Sequence, residues 1–345
     1  MKILHSADWH LDAPLQGYEE LKETLLTVPG RIADICRREK CDLVLIAGDL
    51  FHGPYTKQSF RILCNALREM AVPVCITPGN HDFITPDSPY MTEIWPENVH
   101  IFKNTQMEKY VLPGVTLWGA GYTAMDCPGL LSGFTAEGEG LQIGILHGDI
   151  TPRSPNCPIT KKQIAQSGLS YLALGHIHKG DIFTAGDTLC AYSGCTMGRH
   201  FGENEEKGVL IYDTEDTSLR FIPLGLPAFY ELTAPVVTTA ADAIARCLPA
   251  AGDNNYYRIT LTGHSEVPDL PALREQFPEF PNLTLRDQTL PPLDIWKDLG
   301  SDSFAGQYFS LLRENMESAG EDGQLWLLAA KLSRQLLDGE EVLLP

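Results

Sequence analysis

Positive charge is scarce in this chain. Its 345 residues hold 26 Lys and Arg against 45 Asp and Glu, for a formal net charge of −19. Cutting at residue 225 leaves 18 basic against 27 acidic residues before the cut and 8 against 18 after it, so the average conceals no basic tail. A surface of that sign does not by itself grip a nucleic-acid backbone. Long apolar runs are absent too, and no stretch reaches the length that a membrane-crossing helix needs. The residues after Met1 are broken at once by His5, Asp8 and His10, which argues against the unbroken apolar region of a signal peptide. The nine cysteines contain no C-x-x-C pair and are odd in number. That pattern points to reduced, buried thiols in a cytoplasmic protein and away from a disulfide framework. Internal repeats and low-complexity tracts are missing as well.

What is present is a hydrophobic fraction of 43%, enough for a real core, on a chain too long for one ordinary domain. Short apolar runs alternate with polar, Gly-rich turns up to about residue 225. They are Ile3-Leu4, Leu43 to Ile46, Val72 to Ile76, Val115 to Trp118, Ile143 to Leu146, Tyr171 to Leu174 and Val209 to Tyr212. Their length and β-branched content suit buried strands. Helical stretches lie between the early ones, Glu20 to Arg38 (interrupted near Pro29) and Thr56 to Met70. This alternation predicts an α/β layered domain whose later strands run more as hairpins. The texture changes around Pro223 to Pro227. From Phe229 to Leu290 the pattern reads strand, helix, strand, helix, strand, a small α+β module. Pro291-Pro292 then leads to two helices, Ser303 to Ser318 and Gly323 to Leu337. The expected domains are 1–225, 226–292 and 293–345.

Almost every apolar run of the first half ends in a side chain that can bind metal. The runs lead in turn to Asp8-Trp9-His10, Gly48-Asp49-Leu50-Phe51-His52, Gly79-Asn80-His81-Asp82, His147-Gly148-Asp149 and His176-Ile177-His178. Loops at the carboxyl ends of α/β strands converge, so these groups are expected to meet at one point. Such a gathering of imidazoles and carboxylates is costly unless cations neutralise it. The two-residue spacings Asp8-x-His10 and His176-x-His178 would put both side chains on one side of a strand end. Glycines beside Asp49, Asn80, His147 and His176 allow turns that β-branched residues resist. Oxygen and imidazole donors suit Mn²⁺ or Fe²⁺ better than a thiolate zinc site, and no cysteine falls in these motifs. Taken singly, each motif is no more than a turn or a coincidence. Five of them at strand ends, in this order, are not.

The order resembles that of the calcineurin-like metallophosphoesterases, with their motifs D-x-H, G-D, G-N-H-D/E, H and G-H-x-H, across about residues 1 to 215. The resemblance implies a four-layer α/β/β/α core with two divalent ions, Mn²⁺ foremost and Fe²⁺ or Mg²⁺ as alternatives. It implies that Asp8, His10, Asp49 and His178 hold one ion. Asn80, His147, His176 and the shared Asp49 hold the other. His81 would assist the leaving oxygen, with Asp82 as its orienting partner. The opening Ile3 to Asp12 and the block Ala47 to His52 also look like the SbcD-type DNA repair exonucleases, particularly their YhaO-like branch. There, the histidine matched by His52 contacts the substrate phosphate. Ser193 to Arg199, followed by Glu203 and Lys207-Gly208, looks like that family's late core motif. Asp12 stands where many members have Gly, and Cys195 replaces a common Ser.

The resulting expectation is a Mn²⁺-dependent DNA exonuclease or endonuclease with a small capping domain. A homodimer and an SMC-like coiled-coil ATPase are the implied partners, and that ATPase could supply the positive groove this chain lacks. The competing expectation is a phosphodiesterase or phosphatase for small esters, with the acidic C-terminal module as a lid. A scaffold that has lost its chemistry is disfavoured by the complete ligand set. The C-terminal helices carry apolar residues at helical spacing (Phe304, Tyr308, Leu311, Leu312 and Met316, then Leu325, Leu328, Leu332 and Leu336), a pattern of either burial or docking. Trp95, Trp118, Trp296 and Trp326 read as packing, and the charge run Glu203 to Glu206 as a solvated turn.

Overall fold

The structure, a computed structural model, describes residues 1–151, 153–266 and 268–340; residues 341–345 of the expected C-terminal segment lie outside them. The chain divides into two compact units, one spanning Met1–Phe229 and the other starting at Tyr230.

The first unit contains two six-stranded sheets. One runs β12 (Ser218–Pro223), β11 (Gly208–Asp213), β1 (Lys2–Ser6), β2 (Leu43–Ala47), β3 (Val74–Thr77), β4 (Val99–Ile101). The other runs β5 (Glu108–Leu112), β6 (Val115–Gly119), β7 (Leu141–His147), β8 (Tyr171–Gly175), β10 (Thr188–Tyr192), β9 (Asp181–Ala185). The central pairs β1–β2, β2–β3, β6–β7 and β7–β8 are parallel, whereas β11–β12 and β9–β10 are antiparallel hairpins.

Alternate residues of these strands face a shared interior. Ile3, Leu43, Leu45 and Cys75 of the first sheet pack in one cluster with Leu117, Ile143, Ile145, Tyr171 and Ala173 of the second. His5 has the same parity, and its imidazole bridges the sheets by reaching the Tyr171 hydroxyl at 2.8 Å and the Leu174 carbonyl at 3.1 Å. The remaining parity, Leu4, Val44, Ile46 and Ile76, is equally buried. Both faces of the parallel strands are therefore covered, as a layered α/β core requires. On the outside of the second sheet, Leu146, Leu172 and Cys190 pack with Ile164 of α5 (Lys161–Gln166) and Leu130 and Ile159 of the flanking loop.

The helical stretch expected over Glu20 to Arg38 is two helices, α1 (Leu21–Leu25) and α2 (Val28–Glu39). Pro29 sits in the first turn of α2, where its missing N–H costs nothing, so it starts a helix and does not interrupt one. The third helix, α3 (Lys57–Met70), opens on a capping box made by Thr56 and Ser59 and packs beside α2; the short α4 spans Pro89–Thr92. Asp12 has φ +66°, the backbone a glycine would take, and its carboxylate accepts from the Thr56 backbone N–H at 3.0 Å.

The second unit holds β13 (Phe229–Pro235) from its second residue on, α6 (Ala240–Cys247), β14 (Tyr256–Thr262), α7 (Leu270–Arg274) and β15 (Asn282–Asp287), with the strands in the order β13-β14-β15. Helix α7 is shorter than the expected run to Phe277, because the chain turns before Pro278 and buries Phe277 in the turn. Then come α8 (Phe304–Ser318) and α9 (Gly323–Leu337). These bury Phe309, Leu312 and Ala330 around Ile295, yet leave Phe304, Leu311, Leu325, Leu336 and Leu337 at least half exposed. No helix among the described residues is long and apolar enough to cross a membrane.

Candidate metal centre

The five motifs meet at one end of the two-sheet core. Asp8 and His10 do not extend β1, which ends at Ser6; they occupy a loop with φ of 53° and 46°. Their convergence comes from left-handed backbone and not from strand alternation, which corrects the reason expected from the spacing. Asp49 at 53° and His176 at 97° adopt the same unfavourable half of backbone space. Backbone bonds hold the loops together, Asp8 N–H donating to the Gly48 carbonyl at 3.0 Å and His10 N–H to the Asp49 carbonyl at 2.9 Å. The glycines serve two purposes. Gly48 has φ +91°, whereas Gly175 does not need positive φ; a Cβ there would lie 1.8 Å from the Ala47 carbonyl oxygen of the other sheet. Close approach, more than turning, fixes glycine at 175.

Two half-sites are recognisable from ring geometry. His178 Nδ1 lies 2.6 Å from Glu203 Oε1. The same Nδ1 lies 3.1 Å from the Arg199 guanidinium, but the shorter contact is to a carboxylate, which only accepts, so Nδ1 carries the hydrogen and Nε2 faces Asp8 Oδ1 at 3.5 Å. His10 Nδ1 lies 3.1 Å from His52 Nδ1, which also receives the Arg199 guanidinium at 3.4 Å. An arginine only donates, so His52 Nδ1 is the acceptor and His10 Nδ1 the second donor. The lone pair of His10 therefore sits on Nε2, 3.0 Å from His178 Nε2 and 3.7 Å from Asp49 Oδ2. In the other half-site His147 Nδ1 donates to the Ala47 carbonyl at 2.9 Å. Its Nε2 lone pair faces Asn80 Oδ1 at 2.9 Å and Asp49 Oδ2 at 3.4 Å, and His176 Nδ1 lies 3.1 Å from the same Asn80 oxygen. Asp49 stands between the two sets, near a ring of each.

Lone pairs brought this close repel one another unless a cation lies among them. The electrostatics agree. Burial, then the carboxylates of Asp82 and Asp8, push the Asp49 carboxyl well above its ordinary range. Burial alone would lower His178, but hydrogen bonds to Asp8 and Glu203 outweigh it and raise that imidazole to about 9. A proton there stands in for positive charge. Asp8, His10 and His178 form one group with ligand atoms within 4.8 Å, and Asp8, Asp49 and His147 form another. These oxygen and imidazole donors fit two divalent ions. Cys195 shares a third group with His178 and Glu203, but burial pushes its thiol upward, away from the thiolate that would ligate.

His52 and His81 stack at 4.4 Å beside His10, half-buried at the mouth of the site. A pocket lined by residues 13–16, His52, Arg199 and His200 adjoins His52. A second pocket, including Pro54, Tyr55, His81 and Pro89, adjoins His81. Burial, then the nearby His52 and Arg199, lower His81 to about 4, so its ring is a neutral donor.

The expected pairing of Asp82 with His81 does not occur. The Asp82 carboxylate accepts from the backbone N–H of Leu50 at 2.7 Å, Phe51 at 3.2 Å and Gly79 at 2.8 Å, and from the Tyr90 hydroxyl at 2.6 Å. Among the described hydrogen bonds His81 is not a partner, because adjacent residues in this turn point apart. Asp82 ties the loops together. The reading of Glu203 as part of a solvated turn is also overturned. Glu203 is 5% exposed, bonds His178 and is gripped by Arg199. The pairing of opposite charges four residues apart, Arg199 and Glu203, was the signal available in the sequence.

A family model described as calcineurin-like phosphoesterase matches residues 1–180. An uncharacterized metallophosphoesterase of Bacillus subtilis (strain 168), YhaO, is 31% identical over 234 residues, covering 60% of this chain and 56% of that protein. The match thus spans little more than half of that relative. The SbcD component of the SbcCD nuclease of Staphylococcus epidermidis is 25% identical over 325 residues, covering 81% of this chain and 84% of that one. Among solved structures, TT1561 of Thermus thermophilus aligns over 65% of this chain and 98% of its own, with 12% identity and a TM-score of 0.42.

Proposed function

The chain belongs to the calcineurin-like phosphoesterase family and is a hydrolase of phosphate esters; from that premise we propose that it is a two-metal phosphodiesterase cutting DNA, an exonuclease or endonuclease of the SbcD type acting in repair. Asp8, His10, Asp49 and His178 hold one ion, and Asp49, Asn80, His147 and His176 the other, with Mn²⁺ the metal that the donor set favours. The ions supply activated water and neutralise phosphate oxygens when bound. His81 donates its ring N–H to the leaving oxygen, and its low proton affinity suits a hydrogen-bond donor that stays neutral at pH 7. His52, held by Arg199, contacts the phosphate from the opposite edge of the stacked pair.

The observation that carries the DNA reading is the stacked His52–His81 pair with an open pocket beside each ring, room for the nucleotides on either side of a scissile phosphate. Similarity to a nuclease component over most of the chain supports it. A net charge of −19 favours the second reading, hydrolysis of small phosphate esters. Partners reconcile the charge with DNA. The exposed Phe304, Leu311, Leu325, Leu336 and Leu337 give a coiled-coil ATPase an apolar surface to hold, and the ATPase supplies the basic groove. A homodimer is the assembly proposed for the nuclease, and the cytoplasm its place.

A plasmid-nicking and exonuclease assay beside a chromogenic phosphodiester, with Mn²⁺ present, tests the substrate. The DNA reading expects His52→Ala to impair strand cutting more than hydrolysis of the small diester. Equal loss on both substrates returns the small-ester reading.

A further inference from the structure

The two half-sites are held from behind in different ways. His147 is oriented by the backbone carbonyl of Ala47. In the opposite half-site the two imidazoles are oriented by side chains. Glu203 takes the Nδ1 hydrogen of His178, and Arg199 binds both oxygens of Glu203, with Nε 3.2 Å from Oε1 and 3.1 Å from Oε2. The backbone N–H of Arg199 also donates to Glu203 Oε2 at 2.9 Å. The same guanidinium reaches His52 Nδ1, and so fixes the acceptor to which His10 donates. Both imidazoles of this half-site therefore trace back to one buried ion pair. Arg199 is 14% and Glu203 5% exposed at the side chain, so little water competes for their hydrogen bonds.

We infer that Arg199 and Glu203 are positioning residues that set the affinity of one ion, the one held by Asp8, His10 and His178, and do not reach the other, where His147 is held by the Ala47 carbonyl. The inference rests on the two-metal reading. Glu203 fixes His178 in the form whose Nε2 points inward, and Arg199 keeps Glu203 ionised and His52 turned as acceptor. Removing such an outer partner costs a metal site on the order of 10–100-fold in affinity. Here that loss falls on one ion only.

Calorimetric titration of the full chain with Mn²⁺ alone tests this, without reference to turnover. Wild type is expected to bind two ions. Glu203→Ala is expected to weaken one of them by about 10–100-fold and leave the other unchanged. Glu203→Gln should lose less, since its amide oxygen still accepts from Nδ1–H. Arg199→Ala should weaken the same ion. A thermal melt of each variant establishes that it is folded. If Glu203→Ala is not, Glu203→Gln and Arg199→Ala decide: a loss confined to one ion supports the inference, and no loss or equal loss at both overturns it. Wild type binding fewer than two ions would instead overturn the two-metal reading itself.

Discussion

Replacing Asp82 by alanine removes the acceptor shared by four buried donors, the backbone N–H groups of Leu50, Phe51 and Gly79 and the hydroxyl of Tyr90. A buried donor left without a partner costs about 1–3 kcal/mol. Four of them come to roughly 4–12 kcal/mol, a large share of the 5–15 kcal/mol that typically holds a domain together. Asparagine provides the sharper perturbation. Three of the donors converge on Oδ2 and only Gly79 on Oδ1, so the amide can keep its oxygen where three bonds are made and present its NH₂ to Gly79 alone. One lost bond costs about 1–3 kcal/mol. Relief of the repulsion between Asp82 and Asp49 offsets part of it, since burial and that neighbour both work against two charges. Urea denaturation is therefore expected to show Asp82→Asn down by about 1–2 kcal/mol and Asp82→Ala by more than about 4. Mn²⁺ affinity should fall at both ions, because the tethered loops carry Asp49 and Asn80. If Asp82→Asn kept its midpoint and both ions while kcat dropped a hundredfold, the argument would be refuted. Asp82 would then act in the chemistry through His81.

Asp49→Asn should weaken both ions together, since its carboxylate faces a ring of each half-site; calorimetry showing a single affected ion would contradict this. His81→Ala should retain both ions and lose about 10²–10³-fold in kcat, the usual worth of one preorganised hydrogen-bond donor to a developing oxyanion, with metal content measured beside the rate. His5 makes stability depend on pH. Burial lowers its folded pKa to about 4 from 6.5, so between those values the unfolded chain binds a proton that the folded chain refuses. The stability that His5 contributes is present above pH 6.5 and falls as the pH drops towards 4, by roughly 3 kcal/mol in all. Denaturation midpoints of wild type and His5→Gln, both in chelator, should diverge across that window; parallel curves would rule the group out.

The parts of the fold legible in the sequence were those driven by two-sided burial. Leu43 to Ile46 and Tyr171 to Leu174 are continuous apolar runs because both faces of β2 and β8 are covered. Strands β5, β9 and β12 escaped notice because they lie near or at sheet edges and carry exposed polar positions. β10 is buried, but its Leu-Cys-Ala lacks the β-branched signature. The side chains gathered at the candidate centre were legible because each stands at or just after the end of a strand. Glu203 was legible only through the late core motif and its spacing from Arg199; the charge run with Glu205 and Glu206 pointed the other way, to a solvated turn. Asp82 misled for the opposite reason: adjacency to His81 in sequence suggested contact, and the turn sends the two side chains to different loops.

The positive φ angles at Asp8, His10, Asp49 and His176 store strain in the loops that floor this site. Each such residue holds on the order of 1–3 kcal/mol that a relaxed loop would release, and the carboxylates of Asp8 and Asp49 repel one another. Bound ions would oppose both tendencies at once. Metal would then be a fastener as well as a reagent, and stripping it would loosen these loops together. A chelated sample would be expected to melt earlier and to be clipped by protease at these loops first, so loss of activity on metal removal would reflect lost shape as much as lost chemistry.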